Sequence, residues 1–290
     1  MLGEVGGRVA CDSVVAPGSG GIPESRQGSV KRDNSTTKRF LAEAGICEGM
    51  HVLEIGCGGG EVTRLLAELV GPSGRVVALD RNEAALPTPP APNVQFLAVD
   101  ITGDLKSLEQ FPRGSFQALA GRRVLMYLAE PAEVLGRLSE WLEGGALVVF
   151  EEADSTLVPG RLAPLPAHDQ ATEWFKSMLL AEGANPSMGF HLPATLARAG
   201  FHFAKVRGEA VIQGQGSQFP LADLLTMMKS RIVSAAIATA AEVDSLVERL
   251  RQEASDPTRV FVSDISFCAW AHTSGGTAAS TGEPDPRKRR

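Results

Sequence analysis

The chain has 290 residues, 43% hydrophobic and 21% charged, a composition typical of a globular protein with one large core. Its net charge of −6 argues against a nucleic-acid partner, since nucleic-acid-binding faces are usually basic. No apolar run approaches the roughly 18 residues that span a bilayer, and the N-terminus does not resemble a signal peptide. We therefore expect a cytoplasmic protein with no membrane partner, and the sequence leaves the oligomeric state open, a homodimer included.

The cysteines carry no recognisable pattern. Their spacings include neither a Cys-x-x-Cys pair nor a Cys/His pair at zinc distance, so we expect reduced thiols and no metal site. The four positions are Cys11, Cys47, Cys57 and Cys268.

Short apolar runs alternate with helical patterns along the first half of the chain. Residues 1–32 lack periodicity and predict a disordered arm. Helices are predicted over residues 36–44 and 61–70, the second being amphipathic. Alternation of this kind predicts βαβ units, an α/β fold and a mostly parallel sheet with helices on both faces. The apolar runs that predict buried strands cover residues 51–55, 75–79, 94–99, 116–120 and 146–150.

Two insertions interrupt this order after the fifth predicted strand. The first, about residues 153–190, is rich in proline, and the second, about residues 214–256, is typical of helices. We expect the two to form a helical cap on one domain over residues 33–272, followed by a disordered tail over residues 273–290. The remaining predicted elements are a helix over residues 192–199 and strands over residues 201–212 and 259–271.

A glycine-rich segment, residues 54–60, lies between the first predicted strand and the helix after it. Glycines at such a turn let the backbone approach a ligand, and the helix N-terminus adds N–H donors. The glycines have the spacing G-x-G-x-G, and Glu61 stands where a dinucleotide fingerprint needs its third glycine. An NAD-dependent oxidoreductase is therefore disfavoured.

Carboxylates end the second and third predicted strands. Asp80 can accept hydrogen bonds from both hydroxyls of a ribose, and Asp100 from an adenine amino group, with Ile101 packing on the ring. Each aspartate alone is equally consistent with a solvated turn. The glycine segment and both carboxylates follow three successive strands, and this combination predicts a nucleoside cofactor.

Several segments resemble the class I S-adenosylmethionine (SAM)-dependent methyltransferases. VLEIGCGGG, VVALDRN and FLAVDI are similar to the family's first three motifs, and the stretch from SFQALAGRR to VVFEEAD resembles its fourth strand, the next helix and the fifth strand. LPATLARAGF is similar to the helix before strand six. The resemblance covers about residues 34–272 and implies a Rossmann-like, seven-stranded sheet with an antiparallel last strand. The segments are most similar to those of bacterial small-molecule enzymes of the ubiquinone/menaquinone and natural-product type.

The resemblance also implies which residues bind SAM. The loop would follow the methionine part, Asp80 would hold the ribose, Arg81 would flank the adenine, and Asp100 with Ile101 would close its edge. Gly121 and Arg122 would border the amino-acid end and the methyl group. The implied loop residues, with the acid that replaces the first-motif aspartate, are Glu54, Gly56, Cys57 and Gly58.

Two differences from common family patterns concern the fourth strand. Gln117 stands where the family usually has aspartate, a change expected to weaken local hydrogen bonding. The signature of amino-methylating nucleic-acid enzymes is absent, since Gly121-Arg122-Arg123-Val124 occupies its place. A small-molecule acceptor is therefore expected.

Sulfur-containing and aromatic side chains in and beside the insertions are candidates to line the acceptor site. Each alone is as readily a core residue, but together they indicate an apolar or aromatic acceptor, methylated at oxygen, nitrogen or carbon in secondary metabolism. A SAM-binding protein that catalyses a rearrangement or regulates is the alternative. The candidates are Met126, Tyr127, Trp174, Phe175, Met178, Met227 and Met228.

A general base is needed only if the acceptor must lose a proton. His191 directly precedes the predicted helix over residues 192–199, whose N-terminus should disfavour the imidazolium cation, so we predict His191 as the base ahead of His168. A structural role at the helix start is the alternative. The carboxylates Glu151, Glu152 and Asp154 follow the fifth predicted strand and are either bases, substrate anchors or exposed loop residues.

Overall fold

The computed structural model describes residues 34–82, 89, 91–156, 160–214, 221–255 and 260–275. The predicted N-terminal arm and most of the predicted tail lie outside these ranges. The described strands are β1 His51–Ile55, β2 Arg75–Asp80, β3 Val94–Ala98, β4 Phe116–Arg122, β5 Leu142–Asp154, β6 Gly160–Arg161, β7 His202–Gly214 and β8 Val260–His272. The described α-helices are α1 Ser35–Ala44, α2 Glu61–Val70, α3 Pro131–Leu138, α4 Pro166–Ala181, α5 Met188–Arg198, α6 Leu221–Ser234 and α7 Ala240–Ala254.

These strands form one mixed sheet. Its order is β3-β2-β1-β4-β5-β8, with β7 on the far side of β8. The first five strands are parallel, and β8 is antiparallel to both β5 and β7. This confirms the predicted seven-stranded sheet with an antiparallel last strand. The two-residue β6, which also pairs with β8, is an unpredicted addition. We call the edge where strands β1 to β5 end the carboxyl edge.

Helices cover both faces of the sheet because successive residues of its strands point to opposite sides. Val52 of β1 packs with α1 and α2, whereas its neighbours Leu53 and Ile55 pack with α3 and α5. All three side chains are fully buried. The near-continuous apolar runs of the sequence are therefore the signature of strands buried on both sides.

The insertions form a cap of three helices. α4, α6 and α7 pack on one another, and their buried side chains are continuous with the core of α3 and α5. A capping box starts α7, where Thr239 and Glu242 bond reciprocally. The Glu253 carboxylate accepts bonds from the backbone N–H groups of Ala167 and His168, at 3.1 and 3.0 Å, and so ties the end of α7 to the start of α4.

Helix α1 is fastened to the outer strand β7 by charged pairs. Arg207 of β7 pairs with Glu43 at 2.6 Å. Glu209 accepts from the Thr36 hydroxyl at 3.0 Å and forms an ion pair with Arg39. These contacts hold α1 across the sheet between α2 and β7.

Two elements begin or end where the sequence did not predict. β5 continues to Asp154, because its pairing with β8 extends through Glu151, Glu152 and Asp154. α5 begins at Met188 rather than at residue 192, so His191 lies inside the helix and not before it.

Two further expectations were wrong in detail. Cys47 is disulfide-bonded, whereas Cys57 and Cys268 are free, so the expectation of reduced thiols fails for Cys47. Gln117 does not leave β4 poorly bonded: its side chain accepts from the His51 backbone N–H at 2.8 Å and donates to Glu143 at 3.0 Å. In the ranges that the structure covers, no helix is long and apolar enough to cross a membrane.

Replacing Leu250 by alanine tests whether the cap shares the core of the sheet. Leu250 is fully buried on α7, so we expect the free energy of unfolding to fall by about 2–5 kcal/mol. Chemical denaturation followed by circular dichroism measures the loss. Glu248→Ala, on the exposed side of the same helix, should change it by less than about 0.5 kcal/mol. Equal effects of the two substitutions would show that the cap is not packed into this core.

Candidate active site at the carboxyl edge

The loop between β1 and α2 turns tightly at the carboxyl edge. Gly56, Gly58 and Gly60 have φ values of +67°, +47° and +74°, a backbone region that favours glycine. The Cys57 N–H donates to the Leu79 carbonyl at 3.0 Å, which joins the loop to β2. The loop leads directly into α2, whose N-terminal N–H groups face this edge.

Asp80 fixes the loop to the end of β2. Its carboxylate accepts from the Gly58 N–H at 2.8 Å and, through its other oxygen, from the Asn82 N–H at 3.0 Å. Each carboxylate oxygen can accept a further bond, and Asp80 is only half-buried. The Asp80 carboxylate therefore remains able to accept from a pair of hydroxyl groups.

The glycines of the loop and of the end of β4 serve two purposes. A Cβ on Gly58 or Gly59 would meet no heavy atom within 4 Å, so these residues face open space. A Cβ on Gly56 would lie 2.5 Å from the Val124 side chain, and one on Gly121 would lie 2.7 Å from Phe150. Gly56 and Gly121 thus let the loop, β4 and the segment after β4 approach one another, while Gly58 and Gly59 leave room for a ligand.

A buried carboxyl group lies beneath the loop. Glu54 is 1% exposed, and one of its oxygens has no hydrogen-bond partner among the described residues. Burial raises the pKa of Glu54 to about 7, against the opposing charge of Arg122. A ligand cation at this edge would find a carboxylate that the protein itself leaves partly unpaired.

Arg122 joins three elements at the same edge. From the end of β4 its guanidinium donates to Glu61 at 2.6 Å, to the Asn34 side chain at 2.9 Å and to the Thr37 hydroxyl at 3.0 Å. These bonds connect the starts of α1 and α2. The guanidinium of Arg122 therefore bonds to protein side chains beside the loop.

The end of β3 supplies the third carboxylate. Asp100 accepts from the backbone N–H and the hydroxyl of Thr102, at 2.9 and 2.7 Å, and these bonds lower its pKa. Asp100 and Arg81 are exposed, whereas Ile101 is buried. The structure therefore places the predicted carboxylates at the ends of neighbouring strands, since β2 pairs directly with β3.

The comparisons with known proteins indicate a methyltransferase. Residues 46–184 match a family model described as a methyltransferase domain. The open space at Gly58 and Gly59, the N-terminus of α2 and the Asp80 carboxylate fit an adenosyl cofactor with a methionine part. Residues 46–184 therefore form a SAM-dependent methyltransferase domain.

Two curated relatives and a solved structure show the extent of the likeness. A demethylmenaquinone methyltransferase of Lactococcus lactis is 29% identical over 160 residues, which cover 52% of this chain and 58% of that protein. A ubiquinone/menaquinone biosynthesis C-methyltransferase of Pseudomonas fluorescens is 30% identical over 127 residues, 41% and 48% of the two chains. This chain therefore spans about half the length of these relatives. A methyltransferase structure from Bacillus halodurans shares the fold, with a TM-score of 0.53 and 14% identity. The match covers 83% of this chain and 99% of that one.

In the methyltransferase domain, Glu152 shapes the segment that follows β4. It is fully buried, and its Oε1 accepts from the Val124 and Leu125 N–H groups at 3.0 and 2.7 Å. Its other oxygen has no partner in the described part of the chain, and burial raises its pKa to about 7. Glu151 and Asp154 are buried too. The interpretation of these three residues as exposed loop carboxylates was wrong, because β8 covers this end of β5.

The predicted acceptor-lining residues differ in accessibility. Met126 and Met178 are 4% and 2% exposed and belong to the core, whereas Tyr127 and Met227 are 45% and 64% exposed. The Arg231 guanidinium of α6 lies 5.9 Å from the centre of the Tyr127 ring. The cap is therefore adjacent to the segment after β4. The half-buried Trp174, Phe175 and Met228 pack against the core.

The two candidate histidines have different surroundings. His168 is buried in α4, where its ring packs against Phe261 at 4.8 Å, and burial lowers its pKa. His191 is exposed, and its Nδ1 lies 2.8 Å from the side-chain nitrogen of Asn185. Among the described residues no cluster of three or more His, Cys, Asp or Glu side chains has the arrangement of a metal site.

Gly58→Ala and Gly145→Ala form a matched pair for testing the loop. Both glycines have positive φ, +47° and +82°, and neither new Cβ would meet an atom within 4 Å, so both variants carry a similar strain of about 1–2 kcal/mol. SAM should raise the melting temperature of the unmodified protein and of Gly145→Ala by mass action. In Gly58→Ala the added methyl group occupies cofactor space, and differential scanning fluorimetry should show a much smaller rise. Equal rises in both variants would contradict this placement of the cofactor.

Glu152→Gln tests the buried carboxyl group. The pKa of Glu152 is 4.5 ordinarily and about 7 when folded, so between these values the folded protein keeps a proton that the unfolded chain has lost. Stability should consequently fall as the pH rises from about 4.5 through about 7. The glutamine side chain keeps an acceptor oxygen and does not titrate, so this fall should shrink by up to about 3 kcal/mol.

Urea denaturation at a series of pH values measures this difference. The exposed Glu133→Gln, at the start of α3, serves as the control and should follow the unmodified protein. If Glu152→Gln shows the same dependence of stability on pH as the unmodified protein, Glu152 is already ionised in the folded protein at neutral pH.

Proposed function

We propose that the protein transfers the methyl group of SAM to a small apolar or aromatic molecule bound between the carboxyl edge and the cap. The observation that carries this proposal is the loop of residues 56–60. It leaves open space at Gly58 and Gly59 beside the Asp80 carboxylate, inside a domain of a SAM-dependent family.

The proposed cofactor contacts follow the geometry of the edge. Asp80 accepts from the ribose hydroxyls, while Asp100 and Ile101 border the adenine, with Arg81 outside it. The N–H groups at the start of α2 face the methionine carboxylate. Glu54 lies beneath the loop and favours a cation above it. SAM, when bound, supplies an electrophilic methyl group on a positively charged sulfur.

Arg122 has an indirect part in this proposal. Because its guanidinium is bonded to Glu61, Asn34 and Thr37, it holds α1 and α2 together at the methionine end. We therefore assign it to positioning of the loop rather than to direct contact with the cofactor.

The acceptor site is proposed to lie between the segment after β4 and the cap. The exposed Tyr127 and Met227, with the half-buried Trp174, offer apolar and aromatic surface there. Met126 and Met178 support this surface from the core. Methyl transfer from sulfur is an in-line displacement, so this surface contributes by orienting the acceptor and excluding water. The relatives named above make reduced demethylmenaquinone the first acceptor to test, followed by aromatic natural products.

Methyl transfer is tested with SAM that carries a deuterated methyl group. The protein, SAM and reduced demethylmenaquinone are incubated together, and mass spectrometry should detect a product heavier by the labelled methyl group, together with S-adenosylhomocysteine. Screening of further aromatic acceptors uses the same readout. A product of unchanged mass, formed without consumption of SAM, would contradict methyl transfer and favour a rearrangement.

Asp80→Ala is the variant matched to this assay. Loss of the carboxylate should weaken SAM binding by about 2–3 kcal/mol, the scale of hydrogen bonds with a charged partner. Calorimetric titration measures the change. Asp104→Ala removes an exposed carboxylate from the segment after β3 and should bind SAM as the unmodified protein does. Unchanged affinity in Asp80→Ala would mean that the ribose is held elsewhere.

A further inference from the structure

The turn before α5 fixes the orientation of one amide side chain. The Oδ1 of Asn185 accepts from the backbone N–H of Ser187 at 3.1 Å and from its hydroxyl at 2.9 Å. A backbone N–H can only donate, so the atom of Asn185 that faces it must be the oxygen. The amide nitrogen of Asn185 consequently faces His191, with its Nδ2 at 2.8 Å from Nδ1 of the ring.

This orientation determines which ring nitrogen of His191 carries the proton. An amide nitrogen donates and does not accept, so Nδ1 must be the acceptor of this bond. The neutral ring therefore has its proton on Nε2. His191 is exposed, and no group in the described part of the chain bonds to Nε2. The side chain presents an N–H donor, whereas a general base needs a lone pair on the exposed nitrogen.

The same turn is bonded to the segment after β4. The Asn185 N–H donates to the Met126 carbonyl at 2.8 Å, and the Ser155 N–H donates to the Pro186 carbonyl at 2.9 Å. Met126 follows the Val124 and Leu125 N–H groups held by Glu152. His191 is thus attached to the carboxyl edge beside the proposed acceptor site.

We propose that His191 donates a hydrogen bond from Nε2 to an oxygen of the methyl acceptor and does not abstract its proton. Asn185 is then the positioning residue that holds the ring in this tautomer. The inference rests on the proposed function for the place of the acceptor. It narrows the acceptor to an apolar or aromatic molecule with a carbonyl or phenolate oxygen, because these groups accept a hydrogen bond.

Nuclear magnetic resonance tests the tautomer directly. Long-range ¹H–¹⁵N spectra of the histidine-labelled protein with S-adenosylhomocysteine, at a pH where the ring is neutral, should show His191 protonated on Nε2. The His191 signals are assigned by their loss in His191→Gln. In Asn185→Asp the carboxylate can only accept, so the proton should move to Nδ1. A proton on Nδ1 in the unmodified protein would overturn the proposal.

A pair of ligands that differ by one oxygen tests the bond to the acceptor. Calorimetry compares 1-tetralone, which has a carbonyl group, with tetralin, which lacks it, on the protein with S-adenosylhomocysteine. The unmodified protein should bind the ketone about tenfold more tightly, the size of one hydrogen bond. Equal affinity for the two ligands, or binding of neither, would overturn the proposal.

Variants at position 191 test whether the preference for the ketone needs a hydrogen-bond donor or the imidazole ring itself. His191→Gln should keep the preference for the ketone, since its amide nitrogen reaches nearly as far as Nε2 and also donates. His191→Asn is too short and should lose the preference. Asn185→Asp should lose it as well at a pH where the ring is neutral, because the proton is then on Nδ1. If His191→Gln loses the preference for the ketone while Asn185→Asp keeps it, the result would favour a general base at His191 and overturn the proposal. None of these measurements uses methyl transfer, so their outcome is independent of the methylation assay.

Discussion

The bonds that Glu152 makes near the end of β5 hold the segment after β4 in place, and two other parts of the carboxyl edge contact this segment. Its buried carboxyl group accepts from the Val124 and Leu125 N–H groups. Val124 in turn fills the space over Gly56 and Gly121, and Met126 accepts from Asn185. One side chain therefore holds the segment that contacts both the glycine loop and the turn that contains Asn185. A buried acid whose second oxygen finds no partner among the described residues is costly for the fold, and it is found where three segments of the edge meet.

The sequence was most informative where local rules determine structure. Glycines 56, 58 and 60 permit the positive φ that this tight turn adopts, and apolar runs buried on both faces have a recognisable composition. The order of these elements was enough to predict the parallel sheet and the cluster of strand ends around Asp80, whereas the antiparallel strand was implied by the family resemblance. The capping box at Thr239 is a local feature of the same kind, since it depends on residues three apart.

The failures came from contacts between distant parts of the chain. Charged residues after residue 150 are typical of a loop, but β8 pairs with them and buries them. Gly189 and Pro193 argue against a helix that starts at Met188. The structure nevertheless begins α5 there, and the Phe267 ring from β8 packs where a side chain at position 189 would lie, so only glycine fits. The tautomer inferred for His191 depends on Asn185, which Ser187 orients and which reaches the ring only in the folded turn. No local pattern in the sequence contains this information.

The charged pairs between α1 and β7 have a second effect. In the described part of the chain β7 pairs with β8 on one side only, so its other side carries unpaired backbone groups along a strand of 13 residues. Such strands are open to pairing with a further strand and hence to aggregation. Lys205, Arg207 and Glu209 would have to lose water if another strand docked there. The same charges that fasten α1 therefore protect the protein from edge-to-edge association.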